Sequence, residues 1–300
     1  MKNKLLKNLW HYQNGFTEKT ICHPQMYRNQ DYINEFKDSL SFNRPVNPQG
    51  FRSHYDYENL PDDTFKIGFF GCSFTEGIGL CEDHIWINMF LEEFKKKHNK
   101  NAIALNFGKG GCSNDYITWN IEKAFEEVDL DLVCVQFTQI IRRTFAKPDE
   151  SIQKKLPVWL RDLPFVNVIF SDLWGPVKNK HISTKDFKIL KDWMCSDENN
   201  ALNTINNIKL CKSFLKEKKI PFVLNKISDK KYDYSDFEYN AGCGILKEAN
   251  TIMIENDKIN LAYSRALDYK PKEGGHPGFL YHKNLAETYL KQYEEIIRPA

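Results

Sequence analysis

The sequence predicts a three-layer α/β/α sandwich built on a central, mostly parallel, five-stranded sheet. Three observations lead to this fold class. Short apolar runs of strand length alternate with longer segments whose apolar residues recur at helical spacing. The strand-like runs are almost entirely apolar, which is typical of sheets that are covered on both faces. Glycine follows the first of these runs directly and the second after one residue, as expected where a buried strand gives way to a turn and a helix.

The first part of the regular pattern contains two strands and the helix between them. The apolar run 65–70 predicts the first strand, which stops at Gly71. A helix is predicted over 83–98, because its acidic start and basic end match the helix dipole. The run 102–106 predicts the second strand, and the glycines of 108–111 predict the turn after it. The order strand, helix, strand is the unit from which parallel sheets are built.

The remaining elements continue the alternation with one interruption. In chain order they are a helix capped by Ser113 or Asn114, a third strand over 132–137, a helix over 200–218, a fourth strand over 221–225, a fifth over 259–262 and a last helix over 278–296. The region 146–198, rich in proline and tryptophan, predicts an insertion packed over one end of the sheet. We therefore predict an N-terminal extension (1–60) that wraps the core of a single α/β domain (61–300).

Composition excludes several functional classes. The chain has 300 residues, with 42 Lys and Arg against 40 Asp and Glu, and this balance argues against a dedicated nucleic-acid binder. No segment reaches the roughly 18 apolar residues of a membrane span, and no signal peptide is apparent, so we expect a cytoplasmic protein. The eight cysteines form no CxxC pair, which disfavours zinc-ribbon and thioredoxin sites and indicates small buried side chains.

Polar turn residues follow three predicted elements at the edge where open parallel sheets bind ligands. The segment 71–77 carries Ser73 between glycines, either as a presented nucleophile or as an ordinary turn residue. The glycines of 106–113 allow backbone N–H groups to approach an oxyanion or a phosphate, although no GxxxxGK[ST] sequence is present. In 273–278, Glu273 stands three residues before His276, where a carboxylate can orient an imidazole.

In this order, the segments resemble the SGNH (GDSL) hydrolase superfamily. Gly71-Cys-Ser-Phe-Thr-Glu-Gly77 is similar to the family's first block, which usually reads Gly-Asp-Ser-Phe-Thr-x-Gly. The residues 106–111 resemble the second block, and Glu273-Gly-Gly-His-Pro277 resembles the closing Asp-x-x-His-Pro block. Upstream, 47–53 is similar to the Asn-x-x-Gly-Phe-Arg-Ser lead-in of many members. The resemblance covers about half the chain, over 47–145 and 258–290.

The resemblance implies a flavodoxin-like fold and a carboxylic ester hydrolase. It implies Ser73 as nucleophile, His276 as base, Glu273 as the group that orients the base, and the N–H groups of Ser73 and Gly111 as oxyanion donors. The implied substrate is an O-acyl group, such as O-acetyl, on a carbohydrate or small ester, and neither a metal nor an organic cofactor is expected. Transfer of the acyl group to a sugar hydroxyl remains an alternative to hydrolysis. His282 is a competing assignment for the base, ranked below His276.

The departures from the family pattern also carry predictions. Cys72 replaces the usual Asp of the first block, and the Gly-x-Asn-Asp block after the third strand is absent. Gln139, or with less support Thr138, is the candidate for the missing oxyanion donor. Arg142 and its neighbour Arg143 are predicted at the end of the third strand, where they either bind an anionic substrate or pair with the insertion. The rival hypothesis is a catalytically impaired SGNH-like domain that binds a glycan or a protein partner.

Overall fold

Strands and helices alternate along the parts of the chain that the computed structural model describes, which are residues 45–78, 80–139, 142–146, 165–169, 188–189, 191–192, 197–227 and 278–297. The strands are β1 (Phe65–Phe70), β2 (Ala102–Asn106), β3 (Leu132–Phe137), β4 (Arg142–Ala146), β5 (Phe165–Ile169) and β6 (Phe222–Lys226). The helices are α1 (Ser73–Glu76), α2 (Trp86–His98), α3 (Asn114–Glu127), α4 (Asp197–Glu217) and α5 (Phe279–Ile297). A 3₁₀ turn, Glu82–His84, precedes α2.

Four of the described strands form a parallel sheet in the order β2-β1-β3-β6. In register, Phe65 lies beside Ala102 and Ile67 beside Leu132. All residues of β2 and β3 are buried, as the apolar runs indicate. The predicted α/β class and parallel sheet are confirmed. The predicted fifth strand, 259–262, lies outside the described residues.

The helices cover the sheet in two pairs. On one side α2 packs against α5, with the rings of Trp86 and Tyr289 4.5 Å apart, and on the other α3 packs against α4, with Phe125 and Phe214 5.5 Å apart. Because β2 and β3 flank β1 on opposite sides, right-handed crossovers place α2 and α3 on opposite faces. Full burial of an aromatic side chain, as for Trp86 and Tyr289, stabilises the fold by about 1.5–3 kcal/mol. The result is the three-layer arrangement that the pattern predicts.

The start of α2 differs from the prediction. The predicted helix begins at 83, whereas the structure has a 3₁₀ turn, then Ile85 in extended conformation, and α2 begins only at Trp86. The Glu82 carboxylate explains the interruption, because it accepts hydrogen bonds from Arg52 Nε (2.8 Å) and Asn88 Nδ2 (3.2 Å). These bonds hold the acidic turn as a separate element instead of the first turn of the helix.

The prediction that places Arg142 and Arg143 at the end of the third strand is wrong. Strand β3 ends at Phe137, and both arginines lie in β4, which pairs antiparallel with β5 in a separate two-stranded sheet. The chain leaves the parallel sheet at Thr138, where the Asn114 side chain binds both the backbone N–H (2.7 Å) and the C=O (3.1 Å). With both groups engaged by a side chain, the ladder ends there.

The cysteines that the structure describes agree with the interpretation as small buried side chains. Each is a free thiol and is buried (Cys72, Cys81, Cys112, Cys134 and Cys211). Burial raises the pKa of Cys112, Cys134 and Cys211, which keeps these thiols protonated and unreactive. Among the described residues, none of the helices has the length and apolar character needed to cross a bilayer.

Candidate active site

Ser73 lies where the sheet topology favours a ligand site. It is the first residue of α1, two residues beyond Gly71 at the end of β1, and it is 4% exposed. The chain continues from β1 to β2 on one side and returns to β3 on the other, which makes the carboxyl end of β1 a topological switch point. The first N–H groups of a helix have no acceptor within it, and no described residue accepts from the Ser73 amide.

The segment 106–111, here called the glycine loop, packs directly on α1. The Lys109 amide donates to the Gly71 carbonyl (3.0 Å), and the Gly110 amide donates to Glu76 Oε2 (2.5 Å). A Cβ atom on Gly108 would lie 2.5 Å from the Glu76 amide nitrogen, so only glycine permits this approach. The glycine loop is therefore held against the helix that starts with Ser73.

Gly111 ends the glycine loop in a backbone conformation that favours glycine. Its φ of +76° favours glycine, and a Cβ atom there would meet nothing within 4 Å. No described residue accepts a hydrogen bond from its N–H. A Cβ atom on the preceding Gly110 would lie 3.8 Å from Ser73 Cβ, which places the loop backbone beside the serine. The amides of Ser73 and Gly111, both named as oxyanion donors from the sequence, thus lie on neighbouring elements.

Gly108→Ala tests whether this packing matters for activity. The new methyl group would contact backbone atoms of Thr75 and Glu76 at 2.8 and 2.5 Å, and backbone cannot rotate away as a side chain can. We expect a loss of about 1–3 kcal/mol in unfolding free energy. For the ester hydrolysis that the sequence predicts, we expect a fall of about 10²-fold in kcat as the predicted oxyanion donors shift. Urea unfolding and steady-state kinetics measure both, and wild-type kcat in the variant would contradict the assigned role of the glycine loop.

Arg52 fixes the segment that follows α1. Its guanidinium donates to Glu82 Oε2 (2.8 Å), the Gly77 carbonyl (2.6 Å) and the Leu80 carbonyl (2.8 Å), and the residue is 2% exposed. The segment 47–53, identified in the sequence only by its similarity to a family lead-in, therefore has a structural role. With the Glu76 carbonyl at 3.3 Å, four convergent acceptors surround one guanidinium and match the planar fork of arginine.

A second contact from the N-terminal segment fixes the glycine loop. The Tyr57 hydroxyl donates to the Asn106 carbonyl (2.8 Å), at the residue where β2 ends and the loop begins. Burial raises the pKa of Tyr57, so the hydroxyl stays a neutral donor. The described part of the N-terminal segment thus anchors both loops of the site.

A buried hydrogen-bond chain links α1 to the last helix. Thr75 Oγ1 donates to Gln136 Oε1 (3.1 Å), and Gln136 Nε2 donates to the Tyr281 hydroxyl (3.1 Å). The ring of Tyr281 also packs edge-on to Phe74 at 5.9 Å. The start of α5 is therefore held against the helix that carries Ser73. Sequence reasoning missed Gln136, although a glutamine inside an apolar strand is an unusual residue that calls for a partner.

His282 is engaged elsewhere. Its Nδ1 accepts a hydrogen bond from the Trp86 amide (3.1 Å), and the residue is 1% exposed in the contact between α2 and α5. An Nδ1 that accepts from an amide leaves the ring neutral with its proton on Nε2. This packing role disfavours the competing assignment of His282 as base. Glu273 and His276 lie outside the described residues.

Thr138 and Gln139, the sequence-predicted candidates for a further oxyanion donor, have different surroundings. Thr138 has its backbone bound by Asn114, and its buried Oγ1 has no hydrogen-bond partner among the described residues. Gln139 is half-buried and makes no hydrogen bond within the described part of the chain. The N-cap of α3 is Ser113, whose Oγ accepts from the Tyr116 amide (3.3 Å), so Asn114 is released from capping to bind Thr138.

Arg142 and Arg143 have different surroundings. Arg143 Nε lies 3.5 Å from Asp115 Oδ2, so its carboxylate partner belongs to α3 and not to the insertion. Asp115 is itself held by the amide of Thr144 (2.9 Å) and by Asn203 Nδ2 (2.7 Å). Arg142 is partly exposed, and its Nε and Nη1 are buried without a hydrogen-bond partner in the described part of the chain.

No protein-family model matches the sequence, and no curated protein matches it either. Several solved structures are similar. The lipase Lip_vut3 from a goat rumen metagenome is 12% identical with a TM-score of 0.43, over 76% of this chain and 97% of that one. The acetyl xylan esterase AlAXEase is 14% identical with a TM-score of 0.42, over 77% and 100%.

A third similar structure is the psychrotrophic esterase EstA from Pseudoalteromonas sp., inhibited by monoethylphosphonate. It is 10% identical with a TM-score of 0.42, over 78% of this chain and 96% of that one. All three TM-scores lie below 0.5. The chemistry of this chain therefore has to be argued from its own residues.

Proposed function

We propose that this chain is a serine esterase of the SGNH type, which removes O-acyl groups from a carbohydrate or small ester. The main support is the packing of the glycine loop on α1, with a Cβ atom on Gly110 falling 3.8 Å from Ser73 Cβ. This packing puts two amides without described acceptors, those of Ser73 and Gly111, next to a serine at the switch point. Such a pair of donors is what the oxyanion of acyl transfer requires.

In the proposed reaction, Ser73 Oγ attacks the ester carbonyl carbon and its proton passes to His276. The carbonyl oxygen becomes an oxyanion that accepts hydrogen bonds from the amides of Ser73 and Gly111. Collapse of this intermediate breaks the bond to the alcohol, which leaves with the proton from His276. Water then attacks the acyl-serine while His276 takes a proton from the water. The bond between the acyl group and Ser73 Oγ breaks, His276 gives the proton to Ser73 Oγ, and the carboxylic acid is released. Glu273 holds the imidazole in the tautomer that accepts the proton.

The position of α5 supports His276 as the base. Its first turn is tied to α1 through Tyr281, Gln136 and Thr75, and Thr75 is two residues after Ser73. His276 precedes Gly278, the residue before α5, by only two positions. Two residues of extended chain span at most about 7 Å. A base at this position is therefore tethered to a helix that contacts the serine helix.

The missing Asn block sets an expectation for the rate. Two backbone donors serve the oxyanion in this proposal, and Gln139, half-buried and without a described partner, is the candidate third. Removal of one oxyanion donor from an enzyme typically costs about 10²–10³-fold in kcat. The proposed esterase therefore uses two backbone donors, with Gln139 as the candidate for the third.

His276→Ala tests the proposed base. We expect wild-type protein to hydrolyse p-nitrophenyl acetate and the variant to lose about 10²–10⁴-fold in kcat, which is the usual contribution of a general base. His54→Ala is the matched control, because His54 is an exposed histidine of the N-terminal segment and has no assigned role in the reaction. Equal kcat in wild type and His276→Ala would remove His276 from the mechanism, and no turnover by wild type would contradict the esterase assignment.

A further inference from the structure

Two cationic side chains near the proposed site, Lys109 and Arg142, have no anionic partner among the described residues. The ion pairs within the described part of the chain do not include either one, although Arg52 pairs with Glu82 and Arg143 with Asp115. Both unpaired cations lie close enough to Cys112 to lower the pKa of its thiol, which burial otherwise raises. Cys112 directly follows Gly111, so the two cations lie around the end of the glycine loop.

Strand geometry directs Arg142 toward this region. Residues two apart in a strand point to the same face, so Arg142 shares the face of Thr144. Thr144 Oγ1 lies 2.5 Å from Ser113 Oγ, at the residue after Cys112. The Arg142 side chain therefore lies on the face of β4 that meets Ser113, with Nε and Nη1 buried and without described acceptors. Buried N–H groups without acceptors are costly, and those of a guanidinium are the most costly.

Lys109 is fixed within the glycine loop. Its amide donates to the Gly71 carbonyl (3.0 Å), and its Nζ lies 6.0 Å from the centre of the Tyr116 ring. Loss of hydration on burial lowers the pKa of Lys109 to about 8, because no described carboxylate compensates for it. An anion bound between Lys109 and Arg142 would satisfy the buried N–H groups and neutralise two like charges together.

We infer that Arg142 and Lys109 form an anion-binding subsite beside Gly111, and that the natural ester carries a carboxylate or a phosphate. The role of this subsite in the selection of an ester rests on the proposed function. The binding of an anion at the subsite does not depend on that function. The guanidinium can present two parallel N–H groups, one from Nη2 and one from Nε or Nη1, to a carboxylate or phosphate, and the ammonium adds a point charge. Specificity for a charged ester follows, since a neutral ester leaves these donors unpaired.

Matched pairs of esters test the inference by kinetics. In one pair the charge is on the acyl side (mono-p-nitrophenyl glutarate against p-nitrophenyl pentanoate), and in the other it is on the alcohol side (p-acetoxybenzoate against its methyl ester). For each pair, kcat/KM for the charged ester is divided by kcat/KM for the neutral ester. This ratio is compared between wild type and Arg142→Met, so that the difference in intrinsic reactivity between the two esters cancels. We expect the ratio for at least one pair to fall by about 10–100-fold, as for a lost hydrogen bond to a charged group.

Matched variants control for folding. Arg143→Met makes the same change one residue along, at an arginine that pairs with Asp115, and should leave the ratio unchanged. Lys109→Met is the second test variant, and it should lower the ratio in the same pair of esters. Its effect keeps the inference testable if Arg142→Met does not fold.

Calorimetry with wild-type protein measures anion binding without any turnover. Inorganic phosphate and the glutarate dianion are titrated separately, which distinguishes a phosphate site from a carboxylate site. We expect one of them to bind, and to bind at least about 10-fold more weakly to Arg142→Met. Binding that is lost in Arg142→Met while no ester is hydrolysed would retain the anion subsite and reject the proposed function. Ester hydrolysis with an unchanged ratio in both variants, and no anion binding, would overturn the subsite and retain the esterase.

Discussion

Ser73→Ala is expected to lower kcat/KM for p-nitrophenyl acetate by about 10³–10⁶-fold, the range in which loss of a catalytic serine usually falls. The variant retains the amides of residue 73 and Gly111, so any residual rate reports the oxyanion donors alone. Stability should change little, because the Ser73 hydroxyl makes no hydrogen bond to another described residue. The kinetic loss should therefore appear in a protein with wild-type thermal unfolding.

Ser113→Ala is the matched control for this prediction. Ser113 is a buried serine in the neighbouring loop, where it caps α3 and contacts Thr144 and Asp115. Its loss should cost about 1 kcal/mol of unfolding free energy, as for other helix caps, and leave most of the activity. Turnover by Ser73→Ala close to wild type would show that Ser73 is not the nucleophile, and an equal loss in both variants would point to structural damage.

Arg52→Ala is expected to destabilise the fold by about 3–5 kcal/mol, which is typical of breaking a buried ion pair from one side. The substitution leaves the Glu82 carboxylate without its cation and the carbonyls of Gly77 and Leu80 without their donor. These groups lie in the segment that follows α1. Ester hydrolysis should therefore decline as well, because the position of Ser73 depends on that segment.

Urea unfolding measures the effect of Arg52→Ala, with Lys97→Ala as control. Lys97 forms an exposed ion pair with Glu294 (2.8 Å), and such pairs contribute about 0–1 kcal/mol. Arg52→Lys keeps the charge but not the planar fork, so its unfolding free energy should fall between those of Arg52→Ala and wild type. An unfolding free energy for Arg52→Ala within about 1 kcal/mol of wild type would contradict the structural role assigned to this arginine.

Local pattern was enough to predict most of the described fold. The first three strands have the predicted bounds, 65–70, 102–106 and 132–137, because each is an apolar run that ends at polar or glycine residues. The fourth strand and the last two helices differ by at most three residues from the prediction. Because both faces of a parallel sheet are covered, each strand is a run of consecutive apolar residues, and this run is visible in the sequence of the strand itself.

The errors arise where distant residues decide the local conformation. The start of α2 depends on Arg52, which is 30 positions from Glu82 in the sequence. The position of Arg142 in a separate strand depends on Asn114, which binds the backbone of Thr138 across 24 positions. Neither hydrogen bond has a local sequence signature, because its two residues lie far apart in the sequence. Polar residues near a helix start are usually interpreted as caps of that helix.

The candidate site was predictable in part. Ser73 and Gly111 follow from the ordered motifs, and the structure brings α1 and the glycine loop together as a shared site requires. The support from Gln136 and Tyr57 was not predictable, because both act through contacts with elements far along the chain. The assigned roles of Glu273, His276 and Gln139 stay predictions, to be tested by the variants above.

Covalent labelling tests whether Ser73 is an activated nucleophile. Wild-type protein is treated with a fluorophosphonate, and intact-mass and peptide mass spectrometry locate the adduct. This role for Ser73 predicts one adduct per chain, on the peptide that contains Ser73, and no adduct in Ser73→Ala. A folded wild-type protein that stays unlabelled, or one that is labelled at another residue, would contradict it and favour a binding domain without esterase activity.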